Sequence, residues 1–257
     1  MPASRRSLVI VLGVAAAVLI PAGLLVQTAV LGGRVARTER VVQDEPAQPE
    51  IPPLPPCGYG RERTAYRGYE DWQRTLLDTT YRLPRSYEPP DLVPISRLGL
   101  GTDEMLVREL VIDDLAALAA AAEEAGNPID VTWAYRSFTT QRQVLETWTQ
   151  QRGRDEALRI AARPGHSEHQ LGTGLDFKTR GAPNVDVGWR SEPAGRWMRQ
   201  HAWEFGFIET YPKDAEALTC YDHEPWHYRY FGRDVARQIR ESGLTAREFL
   251  WRLQPHG

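Results

Sequence analysis

Two short segments, Ser167-Glu168-His169-Gln170-Leu171-Gly172-Thr173-Gly174-Leu175-Asp176 and Glu224-Pro225-Trp226-His227, place the strongest demand on any fold this chain can adopt. Together they hold two imidazoles, one carboxylate suited to binding metal and one carboxylate to spare. Catalytic zinc takes three protein ligands and keeps a further position for water, so two His and one Asp form an open site only if the segments converge. The spare carboxylate, Glu224, can then take a proton from water and pass it to a leaving amine, the division of labour of metal-assisted amide hydrolysis. Gly172 and Gly174 permit the close backbone approach that such a convergence needs.

Spacing alone leaves the ligand set open. His166 and His223 each adjoin a favoured residue and compete for its place, whereas His201, on an expected helix, and His256, in the tail, suit surface or packing roles. Asp186 and Asp222 read as loop residues, and Glu168 as a solvated side chain or a partner to a ligand. Glu224 and His227 would share one helix face, but Pro225 and the aromatic run Trp226, Tyr228, Tyr230 and Phe231 favour a strand. Arg136 ends an expected strand; there it can steady an anion or a developing oxyanion, or be one more surface Arg. Trp72, Trp133, Trp148, Trp197, Trp203 and Trp251 read as core material, and Trp226 as a lining of the cleft.

The front of the chain is of a different kind. After Arg5 and Arg6, the uncharged run Leu8 to Val26 has about the length that crosses a bilayer core as a helix. It reads as an uncleaved signal anchor, with a secreted form after signal cleavage as the alternative. Val41 to Pro56 is rich in Pro among Gln, Glu and Asp, which favours extended polyproline geometry and a linker. The expected organisation is therefore 1–33 as cytoplasmic stub and transmembrane anchor, 34–56 as Pro-rich linker, and 57–257 as an extracytoplasmic domain. The net charge of −3, less the +4 of five Arg and one Glu in residues 1–40, leaves −7 on residues 41–257 and argues against a nucleic-acid partner. Outside the cytoplasm the two cysteines, Cys57 and Cys220, are expected to pair.

Along the domain, Asp103 to Gly126 has helical periodicity and stops at Gly-Asn-Pro. Ile129 to Tyr135 alternates with period two as a strand does, and Ser137 to Gln151 returns to helix with Ser137 or Thr139 as N-cap. Further strands are expected at Gly172–Phe177, Phe207–Tyr211 and Trp226–Phe231, and helices at Pro193–Phe205, Arg233–Ser242 and Thr245–Leu253. The fold class is thus α+β: a small, mostly antiparallel sheet carrying the zinc site, flanked by helices and preceded by the transmembrane helix and linker.

Four blocks in order, Tyr135-Arg136-Ser137-Phe138-Thr139-Thr140-Gln141, Ser167-x-His169-x-x-Gly172-x-Gly174-x-Asp176, His201-x-Trp203-x-x-Gly206-Phe207-Ile208 and Glu224-Pro225-Trp226-His227-Tyr228-Arg229-Tyr230, resemble the VanY-type D-alanyl-D-alanine carboxypeptidases. These belong to a zinc peptidase superfamily shared with lysostaphin-like enzymes and the Hedgehog signalling domain, and the resemblance runs from about Asp91 to Gly232. It implies that His169, Asp176 and His227 bind zinc, that Glu224 is the catalytic base and that Arg136 stabilises charge developing on the scissile carbonyl. Ser137, Gln141 and Ser167 match positions near the substrate peptide. Gly174 stands where the family usually has Ala, and Glu209 where it often has a basic or apolar residue. The implied activity is removal of terminal D-alanine from peptidoglycan stem peptides. L,D-carboxypeptidase or endopeptidase action with the same chemistry is the first alternative, and a non-catalytic wall-binding or signalling module with a retained zinc is the second.

Overall fold

The computed structural model describes residues 51–256; the expected transmembrane anchor and most of the expected linker lie outside them. Among the described residues, no helix is long and apolar enough to cross a membrane. The described residues form eight strands: β1 (Glu62–Arg63), β2 (Tyr81–Arg82), β3 (Leu92–Pro94), β4 (Leu106–Arg108), β5 (Ile129–Trp133), β6 (Gly174–Thr179), β7 (Phe207–Glu209) and β8 (His227–Tyr230). The helices are α1 (Ile112–Glu124), α2 (Phe138–Arg152), α3 (Arg154–Ile160), α4 (Pro193–His201), α5 (Glu216–Thr219), α6 (Arg233–Ser242) and α7 (Ala246–Arg252).

The central sheet has the order β5-β6-β8-β7 and is antiparallel throughout. Val131, Leu175, Phe177, Phe207, Tyr228 and Tyr230 are buried in one core with Leu115, Leu118 and Ala122 of α1 and Met198 of α4. The α1 residues recur at the spacing of one helix face, so the helix buries its stripe against the sheet. On the strands, residues of opposite parity point the other way, and this second face carries Asp176 and His227 directly across from each other on β6 and β8. The α+β expectation thus holds for the described residues, with β1 and β2 adding one small parallel pair.

Three local expectations are corrected. Asp103–Gly126 is not one helix: Leu106–Arg108 pairs antiparallel with Leu92–Pro94, a 3-10 turn follows at Glu109–Val111, and the helix starts at Ile112. Pairing with a strand outside the periodic window overrides the helical pattern there. The strand expected to Tyr135 ends at Trp133: a bulge between Val131 and Trp133 shifts its register with β6, and beyond Trp133 the backbone of Tyr135 donates to the carbonyl of Leu106 at 2.8 Å instead. That bulge turns Trp133 away from the phase of Ile129 and Val131 and leaves it 49% exposed, so it is not core material. Finally, the last residues of the expected linker belong to the folded unit. The carbonyls of Pro52 and Pro55 accept hydrogen bonds from Trp251 Nε1 at 2.8 Å and Arg247 Nη2 at 3.0 Å, where the extended Pro backbone offers unpaired acceptors.

Cys57 and Cys220 form a disulfide, with their Cα atoms 5.3 Å apart. It ties the start of the folded region to the segment that leads into Glu224. Ser137 caps α2, its hydroxyl accepting from Thr140 N at 3.1 Å, and α7 begins with a capping box of Thr245 and Glu248.

Candidate metal centre and active site

The 3-10 turn Glu168–Leu171 presents His169, and Gly172 ends it at φ 73°, a left-handed conformation that glycine adopts without strain. The chain then doubles back into β6. A Cβ on Gly174 would lie 3.0–3.1 Å from the backbone of Glu168 and His169, so a small residue is needed for the turn to pack on its own strand.

In this arrangement both imidazoles have one nitrogen already committed. His169 Nδ1 lies 2.7 Å from the carbonyl of Ala134, just after β5, and His227 Nε2 lies 3.0 Å from Glu168 Oε2. With protons on those nitrogens, the lone pairs of His169 Nε2 and His227 Nδ1 face Asp176 Oδ1 at 3.3 and 2.8 Å. Three lone-pair donors within 4.8 Å of one another repel unless something positive stands between them. A proton meets that demand: against the effect of burial, the bonds to Asp176 and Glu168 raise His227 to about 10. A zinc ion meets it as well, because ligands on a tetrahedral zinc with bonds near 2.0–2.1 Å stand roughly 3.3 Å apart. The donor set, its spacing and the anchored outer nitrogens therefore fit a three-ligand zinc site.

The other ionisable groups are arranged around this point. Burial would raise Asp176, yet the two histidines outweigh it and hold its carboxyl far below the ordinary range. Burial and Arg136 lower His169 to about 4. Glu168 is buried, but Arg229 Nη1 at 2.9 Å and His227 hold it near 2, and Thr210 donates to it at 2.9 Å. Glu224 behaves in the opposite way. Burial pushes it up to about 8, Asp176 and Glu168 add to the shift, and His227 and Arg136 oppose it.

Arg136 and Glu224 share a cavity of about 750 Å³ with the three metal-binding candidates. The backbone of Arg136 donates to the carbonyl of His169 at 3.3 Å, so the end of β5 is docked onto the turn that carries the ligand. Its guanidinium stacks over Trp133 at 5.6 Å, and its buried Nε has no hydrogen-bond partner. A half-buried guanidinium with an unpartnered Nε at the wall of a cavity is a ready donor for an anionic atom.

Gln141, Ser167 and Trp226 also line this cavity, whereas Ser137 is not among its lining residues and spends its hydroxyl on the helix cap. The competing histidines stand apart. His166 is buried against the carbonyl of Asp78 at 2.8 Å, and burial lowers it to about 4; His223 faces Glu209 at 3.5 Å. Glu209 does not line the cavity. Sequence reasoning missed Tyr211, whose ring stacks on His227 at 5.0 Å and whose carbonyl accepts from Glu224 N. It also missed the cavity positions of Trp133 and Trp148. The alternation of β5 hid the first, since it placed Trp133 in phase with core residues; nothing in the sequence marks Tyr211.

Comparison with known proteins agrees with this geometry. Residues 104–233 match the family model VanY, D-alanyl-D-alanine carboxypeptidase. The chain is 33% identical over 179 residues to YodJ of Bacillus subtilis, an alignment covering 68% of this chain and 65% of that relative, so it spans just under two thirds of the relative's length. Among solved structures, the LdcB LD-carboxypeptidase aligns with a TM-score of 0.62 and 28% identity, covering 75% of this chain and 97% of LdcB. A variant of the vancomycin resistance D,D-pentapeptidase VanY in complex with Zn(II) aligns with a TM-score of 0.60 and 26% identity, covering 70% of this chain and 99% of that one.

Proposed function

Since the chain belongs to the VanY family of D-alanyl-D-alanine carboxypeptidases, we propose that it is a zinc-dependent D,D-carboxypeptidase that removes the terminal D-alanine from peptidoglycan stem peptides. The observation that carries this reading is the convergence in one cavity of three metal-facing donors with a protonatable carboxylate, Glu224, and an unsatisfied guanidinium, Arg136. A purely structural zinc would need neither of the last two.

His169, Asp176 and His227 would hold the ion, which when bound supplies Lewis acidity toward a carbonyl and makes water more acidic. Glu224 accepts a proton from the attacking water at its carboxylate and later delivers it to the departing amine; a raised pKa suits a group that must do both near neutrality. Arg136 donates to the oxygen of the scissile carbonyl as charge develops there. Gln141, Ser167 and Trp226 border the path of the peptide.

L,D-carboxypeptidase activity on tetrapeptide stems is the second reading, supported by the similarity to LdcB. Mass spectrometry of defined stems separates the two. Incubation with the zinc-loaded protein is expected to remove one alanine from pentapeptide stems and leave tetrapeptide stems intact; the reverse pattern assigns the L,D activity, and no cleavage of either stem overturns both.

We also infer that the domain acts outside the cytoplasmic membrane, held by the apolar run Leu8 to Val26 or secreted after its removal. The Cys57–Cys220 disulfide supports this, because such bonds persist in oxidising compartments.

A further inference from the structure

Helix α2 has 15 residues, of which Gln141 alone is buried. A surface helix normally secures its place by burying an apolar stripe. Here the inward stripe is Thr140, Val144, Thr147, Trp148 and Gln151, at steps of four, seven, eight and eleven residues, and it lines the cavity instead of a core. The buried Gln141 donates through Nε2 to the carbonyl of Ala162 at 2.7 Å, while its Oε1 is without a partner. The ionisable side chains that line the cavity belong to the metal end; the arm along α2 offers hydroxyls, amides and the indole of Trp148, which has the Arg152 guanidinium over one face at 5.3 Å and leaves the other to a ligand.

The length of this arm is informative. α2 starts two residues after Arg136, at the metal end, and from Thr140 to Gln151 it rises about 16 Å. A pentapeptide stem cut at its last bond keeps about four residues upstream of that bond, an extended span of roughly 14 Å. The first stem residue would thus arrive beside Trp148 and Gln151, and what precedes it in peptidoglycan is the lactyl group of an N-acetylated sugar. That sugar is uncharged and rich in hydroxyl and amide groups, and it carries a ring face that can stack on an indole.

We propose that the last turns of α2, centred on Trp148 and Gln151, bind the N-acetylated sugar from which the stem peptide hangs. The inference rests on the peptidoglycan reading above. It makes the chain a trimmer of stems still attached to glycan, with free peptides as poorer ligands.

The test measures binding and turnover separately on the zinc-loaded protein. Calorimetry compares a disaccharide-linked tetrapeptide with the same free tetrapeptide, and hydrolysis compares the corresponding pentapeptides. The sugar-bearing ligand is expected to bind two- to tenfold more tightly, roughly the worth of one aromatic stack, and to show the difference in KM. Trp148→Ala should abolish that preference, with a larger loss of affinity for the sugar-bearing ligand than for the free peptide, and Gln151→Ala, at an exposed position that leaves folding intact, should reduce it. Equal affinities for the two ligands in the unaltered protein, or an equal loss on both in Trp148→Ala, overturn the proposal. A sugar preference that persists when neither pentapeptide is cleaved upholds it and sinks the D,D-carboxypeptidase reading instead.

Discussion

Glu168 Oε2 stands 3.0 Å from His227 Nε2, although 59 residues separate the two in the chain. The contact fixes which nitrogen of His227 carries the proton, and therefore which nitrogen is offered to metal. Glu168→Gln keeps the size of the side chain but removes its charge. Zinc affinity, measured by competition with a chelator, is expected to fall roughly 10- to 100-fold. Unchanged affinity would mean that Glu168 only fills space.

Arg229 is fully buried and donates to Glu168 at 2.9 Å. Arg229→Met leaves a buried carboxylate with its main compensating charge removed, which costs about 3–5 kcal/mol. Urea denaturation gives the number, and a loss below about 1 kcal/mol would place the ion pair among those of little consequence.

Glu224 is assigned proton transfer and no metal bond. Glu224→Ala should therefore retain zinc at one equivalent while kcat falls roughly 10²- to 10⁴-fold. Metal analysis and turnover of an acyl-D-Ala-D-Ala peptide check the two halves, and retained activity would refute the assignment.

Glu209 supplies a pH dependence of stability. Burial raises it to about 7 from 4.5, with Arg190 and Arg199 only partly opposing the shift. The folded state thus holds this proton more firmly than the unfolded chain, so stability declines as pH rises from about 4.5 to 7. Glu209→Gln removes that contribution. Its unfolding free energy should exceed that of the unaltered protein at pH 8 by on the order of 3 kcal/mol, with the gap closing by pH 5. Parallel pH curves for the two proteins would exclude it.

The Cys57–Cys220 bond closes a loop spanning 163 residues. Replacing both cysteines with Ser should lower stability by about 2–5 kcal/mol. The same loss should follow reduction of the unaltered protein and be absent when reductant is added to the double variant. Thermal unfolding with and without reductant distinguishes this from a local packing effect.

The legibility of the site in the sequence was uneven for physical reasons. His169 and Asp176 lie on one turn and the strand it enters, and Glu224 and His227 on one loop and its strand, so residue type and glycine placement announced each half. His166 and His223 remained equal competitors on spacing alone. Only the fold turned His166 toward Asp78 and His223 toward Glu209, away from the cluster. Ser137 read as a substrate contact and as a cap at once; both partners of its hydroxyl, the backbone N–H and the hydroxyl of Thr140, belong to the first turn of α2, and the helix claims it.

Elements with their own periodicity were readable where nothing distant competed. Arg233–Ser242 and Phe138–Arg152 follow their patterns and caps almost to the residue. Leu106–Arg108 does not, because Leu92–Pro94 offers it a strand partner that no local pattern encodes.

By itself, the sequence determined the residue kit, the strand and helix periodicities and the cysteine pair, since each depends on side-chain chemistry or on neighbours within a turn or two. Only the tertiary structure decided that Asp176 faces His227 across two strands, that Glu168 and Ala134 claim the outer nitrogens of the histidines, and that a bulge swings Trp133 into the cavity. Those outcomes depend on register and on contacts between segments far apart in the chain, where a shift of one residue in a strand would send Asp176, His227 or Trp133 to the opposite face of the sheet.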